Sequence, residues 1–265
     1  MRDAKPADER DWNAETYHRV SEPQLAWGEQ VLAELELEGG ETVMDAGCGT
    51  GRLTERLAER LPRGRVVALD ASPAMLGVAA RELGRFGDRV TFVRAELGRD
   101  ALPSGMDVVF STATFHWVRD HDALFRTIAA ALVPGGRLHA QCGGAGNLAR
   151  THAEVVALLC TEPWAEHFAG DAEPWQFAST DDTRARLVAA GFDHADAWLH
   201  DAPTSFADAT AFAEFVGTVV LRPFLARLPS ELHARFVSEV TARAERASPA
   251  LTLDYVRLEL RARRA

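Results

Sequence analysis

The chain has 265 residues, 47% hydrophobic and 26% charged, which suits one soluble domain with a sizeable core. A formal net charge of −10 argues against bulk nucleic-acid binding, which needs a positive field. No apolar run is long enough to span a membrane, residues 1–22 are too polar for a signal peptide, and Cys48, Cys142 and Cys160 have neither metal nor disulfide spacing; the expectations are a cytoplasmic setting, no membrane or metal, and a monomer or weak dimer.

Residues 1–10 are charged and expected to be loosely ordered. Residues 11–38 should hold a helix that covers a ligand mouth and ends near Gly39-Gly40. Strands are expected near 42–46, 65–70, 90–94, 106–111 and 136–141, alternating with helices near 52–61, 73–83 and 121–132. In the first helix Leu53, Leu57 and Leu61 fall on one face. Such alternation predicts a parallel sheet with helices on both faces.

Two segments interrupt the pattern. Residues 143–178 open on Gly143-Gly144-Ala145-Gly146 and contain Trp164 and Trp175. After a helix near 181–190, closed by Gly191, comes a strand near 194–201. Helices near 206–227 and 230–246, broken around Pro229, follow it. Leu251 to Arg261 alternates apolar and polar residues as an antiparallel edge strand would. The expected fold is therefore α/β: a Rossmann-like, seven-stranded, mostly parallel sheet with an antiparallel final strand. It reads as a single domain, 1–265, with an N-terminal cap (1–40), a ligand-binding core (41–142) and helical insertions (143–178 and 205–248) that form a lid.

The run Asp45-Ala46-Gly47-Cys48-Gly49-Thr50-Gly51 carries the functional signal. It joins the first strand to the first core helix through alternating glycines, so a ligand can lie against bare backbone near the helix N-terminus. A dinucleotide site would show Gly-x-Gly-x-x-Gly. Here the third glycine comes one residue early, and Asp45 would repel a pyrophosphate while attracting an ammonium group. Asp70, ending the second strand, is placed to bridge two ribose hydroxyls. An amino acid at one end and a ribose at the other describe S-adenosylmethionine.

On these residues the chain resembles the class I S-adenosylmethionine-dependent methyltransferases. The general match runs over about residues 40–141, through Asp45–Gly51, Asp70-Ala71-Ser72-Pro73 and Leu132-Val133-Pro134-Gly135-Gly136-Arg137. Within them it looks most like the trans-aconitate methyltransferase type, and more loosely like juvenile hormone acid methyltransferases. Asp11-Trp12-Asn13, Tyr17, Phe115-His116-Trp117-Val118, Gly217-Thr218, Leu221, Pro223 and Leu225 carry the closer likeness. The resemblance implies that Asp45 and the backbone of Gly47, Cys48, Gly49 and Gly51 hold the methionine part, with Tyr17 over it. It implies Asp70 at the ribose, Ala71 and Met75 near the adenine, and Ala95, Glu96 and Leu97 at the adenine edge. Glu96 stands where the family usually has Asp. Thr112 marks the strand end beside the donated methyl. Trp12, Phe115 and Phe215 are expected acceptor contacts, within a pocket whose apolar lining also includes Trp164, Phe212 and Val219.

Methyl transfer from a sulfonium needs alignment and exclusion of water more than a catalytic triad. His116 either orients or deprotonates the acceptor, or only hydrogen-bonds loop backbone and the cofactor carboxylate. Downstream of Tyr17, where trans-aconitate enzymes are rich in arginine, this chain has Gln24, Ala26, Trp27 and Glu29, which favours a less charged acceptor. The expected function is O-methylation of a small-molecule carboxylate or hydroxyl. The alternatives are N- or C-methylation, a macromolecular substrate, or binding of S-adenosylmethionine without turnover.

Overall fold

A computed structural model describes residues 12–168 and 174–265. The expected loose N-terminal tail, Asp11 of the Asp-Trp-Asn motif and residues 169–173 of the first insertion lie outside the described residues. The strands are β1 (Thr42–Ala46), β2 (Arg65–Asp70), β3 (Val90–Arg94), β4 (Met106–Thr112), β5 (Leu132–Gly143), β6 (Phe192–Asp201), β7 (Thr204–Ser205), β8 (Thr252–Leu253) and β9 (Val256–Arg264). The helices are α1 (Ala14–Val20), α2 (Glu22–Ala33), α3 (Arg52–Arg60), α4 (Pro73–Leu83), α5 (His121–Ala131), α6 (Ala149–Leu159), α7 (Thr180–Ala189), α8 (Ala209–Phe215), α9 (Arg222–Leu225) and α10 (Ser230–Arg246).

Seven strands form one sheet in the order β3-β2-β1-β4-β5-β9-β6. Alternate side chains of β1 enter different cores, as strand geometry requires. Val43 packs with Leu57 and Leu61 of the α3 side, whereas Met44 packs with Phe125 and Ile128 of α5. A separate cluster joins α6, Trp164, Trp175, α8, α9 and α10 above the strand ends.

The structure corrects three sequence expectations. The N-terminal helix is two helices, because Pro23 lacks the N–H to continue a helix and α2 restarts after Ser21. The expected helix 206–227 is α8, a π-helical turn at Val216–Val220 and then α9, with Pro223 in the first turn of α9. The final strand is not an edge. Asp254 leaves the strand pattern to accept hydrogen bonds from Arg150 N and Thr151 Oγ1, each at 2.7 Å. Beyond it β9 lies between β5 and β6, antiparallel to both. Its polar residues Arg257 and Glu259 are therefore flanked by strands and buried, with Trp27 of α2 against the Arg257 guanidinium.

Candidate active site

The strand order reverses between β1 and β4, which opens a crevice at their C-terminal ends. Ser111 Oγ donates to the Ala46 carbonyl at 2.6 Å and ties the two ends together. Gly47 then turns away at φ +86°, and a Cβ there would fall 2.2 Å from Thr114 Oγ1, so the post-β4 loop closes directly on it. The crevice holds a cavity of about 550 Å³, continued towards Asp45 by a side chamber of about 60 Å³.

Asp70 is set by backbone donors: Gly49 N donates to Oδ2 and Ser72 N to Oδ1, both at 2.9 Å. Its carboxylate is thereby fixed in the cavity wall beside Ala71 and Met75. Ala95, Glu96 and Leu97 form the adjoining wall, although the Glu96 carboxylate turns to Arg99 at 3.1 Å. Asp45 lines the side chamber and accepts from Thr54 Oγ1 at 2.6 Å. Burial pushes its pKa up to about 7; the Thr54 hydrogen bond opposes that rise and the Asp70 charge adds to it. Gln24, from α2, lines the same chamber, and its buried Oε1 has no hydrogen-bond partner. Two residues with acceptor groups therefore border one small space, which suits a cationic donor. Tyr17 spans both spaces, and burial followed by the Asp70 charge lifts its phenol to about 12.

The other end of the cavity is aromatic. Trp12 meets Tyr17 and Trp117 edge-on, with centroids 5.3 and 5.7 Å apart, and the Arg222 guanidinium lies 4.4 Å over the Trp12 ring. Trp175 and Phe177 stack at 5.4 Å. The π-helical turn brings Val219 and Val220 into the same wall. His116 sits in this wall with its Nδ1 accepting from Gly143 N at 3.3 Å. That bond assigns the ring proton to Nε2. Burial, helped by the Arg257 charge and His121, holds the imidazole well below its usual range, so it is neutral.

One residue of the site escaped sequence reasoning. Arg257 of β9 lines the cavity although its side chain is buried with 2% of the residue exposed. Its Nε donates to Gln141 Oε1 at 3.1 Å, its guanidinium lies 4.5 Å over Trp27, and its Nη2 has no hydrogen-bond partner. An unpaired buried guanidinium N–H is costly and is suited to an anion. The signal was present as Arg257-x-Glu259 alternating with Leu258 and Leu260, but on a presumed edge strand that pattern reads as a solvent face.

Of the expected cofactor residues, Tyr17, Gly47, Gly49, Asp70, Ala71, Met75, Ala95, Glu96, Leu97, Thr112 and His116 line the cavity, and Asp45 and Cys48 line the side chamber. Gly51 lines neither. It starts α3 at φ +85°, where a Cβ would meet Leu83 at 2.8 Å, so it is a packing glycine. Among the expected acceptor contacts Trp12 and Val219 reach the cavity. Phe115 is instead buried edge-on against Phe125, while Phe212, Phe215 and Trp164 are buried in the helical cluster, because the faces assumed to look onto the ligand are used to pack helix on helix. Among the described residues no group of three or more His, Cys, Asp or Glu could hold a metal ion, and no helix is long and apolar enough to cross a membrane.

Comparison with known proteins bears directly on this geometry. Residues 43–136 match a family described as a methyltransferase domain. A trans-aconitate 2-methyltransferase from Variovorax paradoxus is 32% identical over 91% of this chain and 92% of its own length. Another from Methylobacterium radiotolerans is 31% identical over 90% and 91%. Among solved structures, phosphoethanolamine N-methyltransferase 2 of Haemonchus contortus, in complex with S-adenosyl-L-methionine, aligns with a TM-score of 0.59 at 18% identity. That alignment covers 95% of this chain and 56% of the other, so the chain spans a little over half of that protein's length. The [4+2]-cyclase SpnF aligns with a TM-score of 0.58 at 20% identity, over 90% and 80%. At such identities the likeness is one of fold alone.

Proposed function

This chain belongs to the S-adenosylmethionine-dependent methyltransferase family that includes the trans-aconitate 2-methyltransferases, and from that premise we propose that it methylates a carboxylate oxygen of a small organic acid. When bound, S-adenosylmethionine supplies a methyl group on a positively charged sulfur, already activated for displacement. Asp45 and Gln24 would take its ammonium group, Asp70 its ribose hydroxyls, and the Ala95–Leu97 wall its adenine edge. The orphaned Gln24 Oε1 and the two backbone-anchored oxygens of Asp70 are what make this fit good.

The observation that carries the acceptor reading is Arg257, a buried guanidinium whose unpartnered Nη2 belongs to a cavity-lining residue. It matches an anion, and the aromatic wall of Trp12, Trp117 and Trp175 matches a largely apolar body. A carboxylate with a pKa near ~4 is ionised at neutral pH and needs no base. This suits a site whose histidine is neutral, with Nδ1 engaged. His116 then contributes its Nε2–H as a hydrogen-bond donor and shields the acceptor from water. We take the protein to act in the cytoplasm as a single domain, with 12–40 as its cap and the helices of 143–178 and 205–248 as its lid.

The test compares turnover of carboxylic acids, trans-aconitate among them, with their primary amides. Acids should be methylated and amides not. Arg257→Gln should raise KM for the acid roughly 10- to 100-fold, the worth of a hydrogen bond to a charged group. Equal turnover of acid and amide would overturn the reading.

A further inference from the structure

Arg257 does not stand alone. In the β5–β9 register Gln141 is opposite Glu259 and Gly143 is opposite Arg257. Residues two apart on a strand share a face, so Gln141, Arg257 and Glu259 meet beneath α2. All three are buried, at 1%, 2% and 7% exposure. Gln141 Nε2 donates to Glu259 Oε1 at 2.7 Å, and its Oε1 accepts from Arg257 Nε at 3.1 Å. Burial raises the Glu259 pKa, and the Gln141 hydrogen bond followed by the Arg257 charge opposes that rise. With its amino group given to Glu259, Gln141 presents its carbonyl on the other side. The carbonyl binds Nε and leaves the Nη2 edge of the guanidinium as the unpartnered one. Trp27 covers the guanidinium plane at 4.5 Å, which restricts its tilt.

Resting on the carboxylate reading above, we infer that Gln141 and Glu259 are positioning residues: the chain Glu259–Gln141–Arg257 holds the guanidinium in the cavity wall with its Nη2 unpaired, and thereby sets the preference for acids over neutral isosteres. Neither residue lines the cavity, so each acts through Arg257. The chain also explains why a full ion pair is absent. A carboxylate bound directly to the Nη edge would quench the group that must capture the acceptor. The interposed amide holds the arginine while leaving its charge available, with Glu259 supplying a compensating charge one residue further out.

The test needs no knowledge of the acceptor's body. Sodium formate is a carboxylate without one, and formamide is its neutral isostere. Each is titrated into the complex with S-adenosylhomocysteine, with the ¹⁵N-arginine signal of Arg257 as the readout. Formate should shift that signal in the wild type and formamide should not. In Gln141→Leu the apparent formate affinity should fall at least about fivefold, and the Arg257 Nε–H should exchange faster with solvent. Glu259→Gln keeps shape and hydrogen-bonding capacity but lets the Gln141 amide turn over, so it should show the same loss with little change in melting temperature. S-adenosylhomocysteine affinity should be unchanged in both. Formate binding as in the wild type in both variants would overturn the inference while leaving Arg257 as the anion contact. An Arg257 signal indifferent to formate in the wild type, or formate binding unchanged in Arg257→Gln, would instead strike down the carboxylate reading beneath it.

Discussion

Asp45 is the residue whose environment makes the sharpest prediction. Its pKa is raised to about 7 by burial, against 3.8 for a free side chain. An acid raised in this way binds more protons folded than unfolded, so its contribution to the ligand-free protein's stability falls as pH rises from about 4 through about 7. An ammonium ligand favours the ionised form. Cofactor binding at pH 6.5 should therefore release up to about three-quarters of a proton, and affinity should be about tenfold weaker at pH 6 than at pH 8. Calorimetry in buffers of different ionisation enthalpy measures this directly. Asp45→Asn should abolish the proton release, weaken binding, and raise the ligand-free melting temperature above pH 7. Asp70 makes a simpler prediction: Asp70→Ala should cost roughly 1–3 kcal/mol of cofactor affinity, the worth of charge-assisted hydrogen bonds to the proposed ribose. His116 predicts an absence. Because its Nδ1 is engaged and its ring is held neutral, His116→Ala should reduce acid turnover modestly and leave no histidine limb to remove from the pH–rate profile. A loss approaching 10²–10⁴-fold with a titration near neutrality would instead mark a general base.

At the scale of elements, strands and helices of the parallel core were legible because local pattern and tertiary need agree there. Thr42–Ala46, Arg65–Asp70 and Pro73–Leu83 each carry an uninterrupted apolar pattern and sit where it demands. The cap and the α8–α9 region were not, since Pro23, Pro223 and the π turn redirect helices that periodicity alone would run straight through. Arg257 was hidden for the same kind of reason: whether a polar strand face meets water depends on which strands and helices cover it, and here β6 and α2 do. The proposed cap is joined to the proposed lid by an ion pair between Arg19 of α1 and Glu214 of α8. Exposed pairs hold little energy, so ligand contact should dominate closure. S-adenosylhomocysteine should slow hydrogen exchange in residues 12–33, which contribute Trp12, Tyr17 and Gln24 to the cavity. Identical exchange with and without ligand would show that these helices only pack.

For the whole molecule, Asp45, the glycine turn and Asp70 were enough to reach the fold and the cofactor, because a strand end and a bare backbone impose chemistry locally. The acceptor chamber was not legible in this way. Its walls come from α1, the loop after β4, the segment around Trp175, the π turn and β9, and only folding brings these together. The net charge of −10 likewise conceals a cavity edged by Arg222 and Arg257, since a bulk average says nothing about which charges face inward. The central claim, methyl transfer to a carboxylate, is tested most directly by the lability of the product. The protein is incubated with S-adenosylmethionine labelled in the methyl group and a pool of small organic acids, and the product is treated with mild alkali. An ester releases its label as volatile methanol under these conditions, and that is the result predicted here. Label retained through the same treatment, as in an ether or an N-methyl group, would contradict the account.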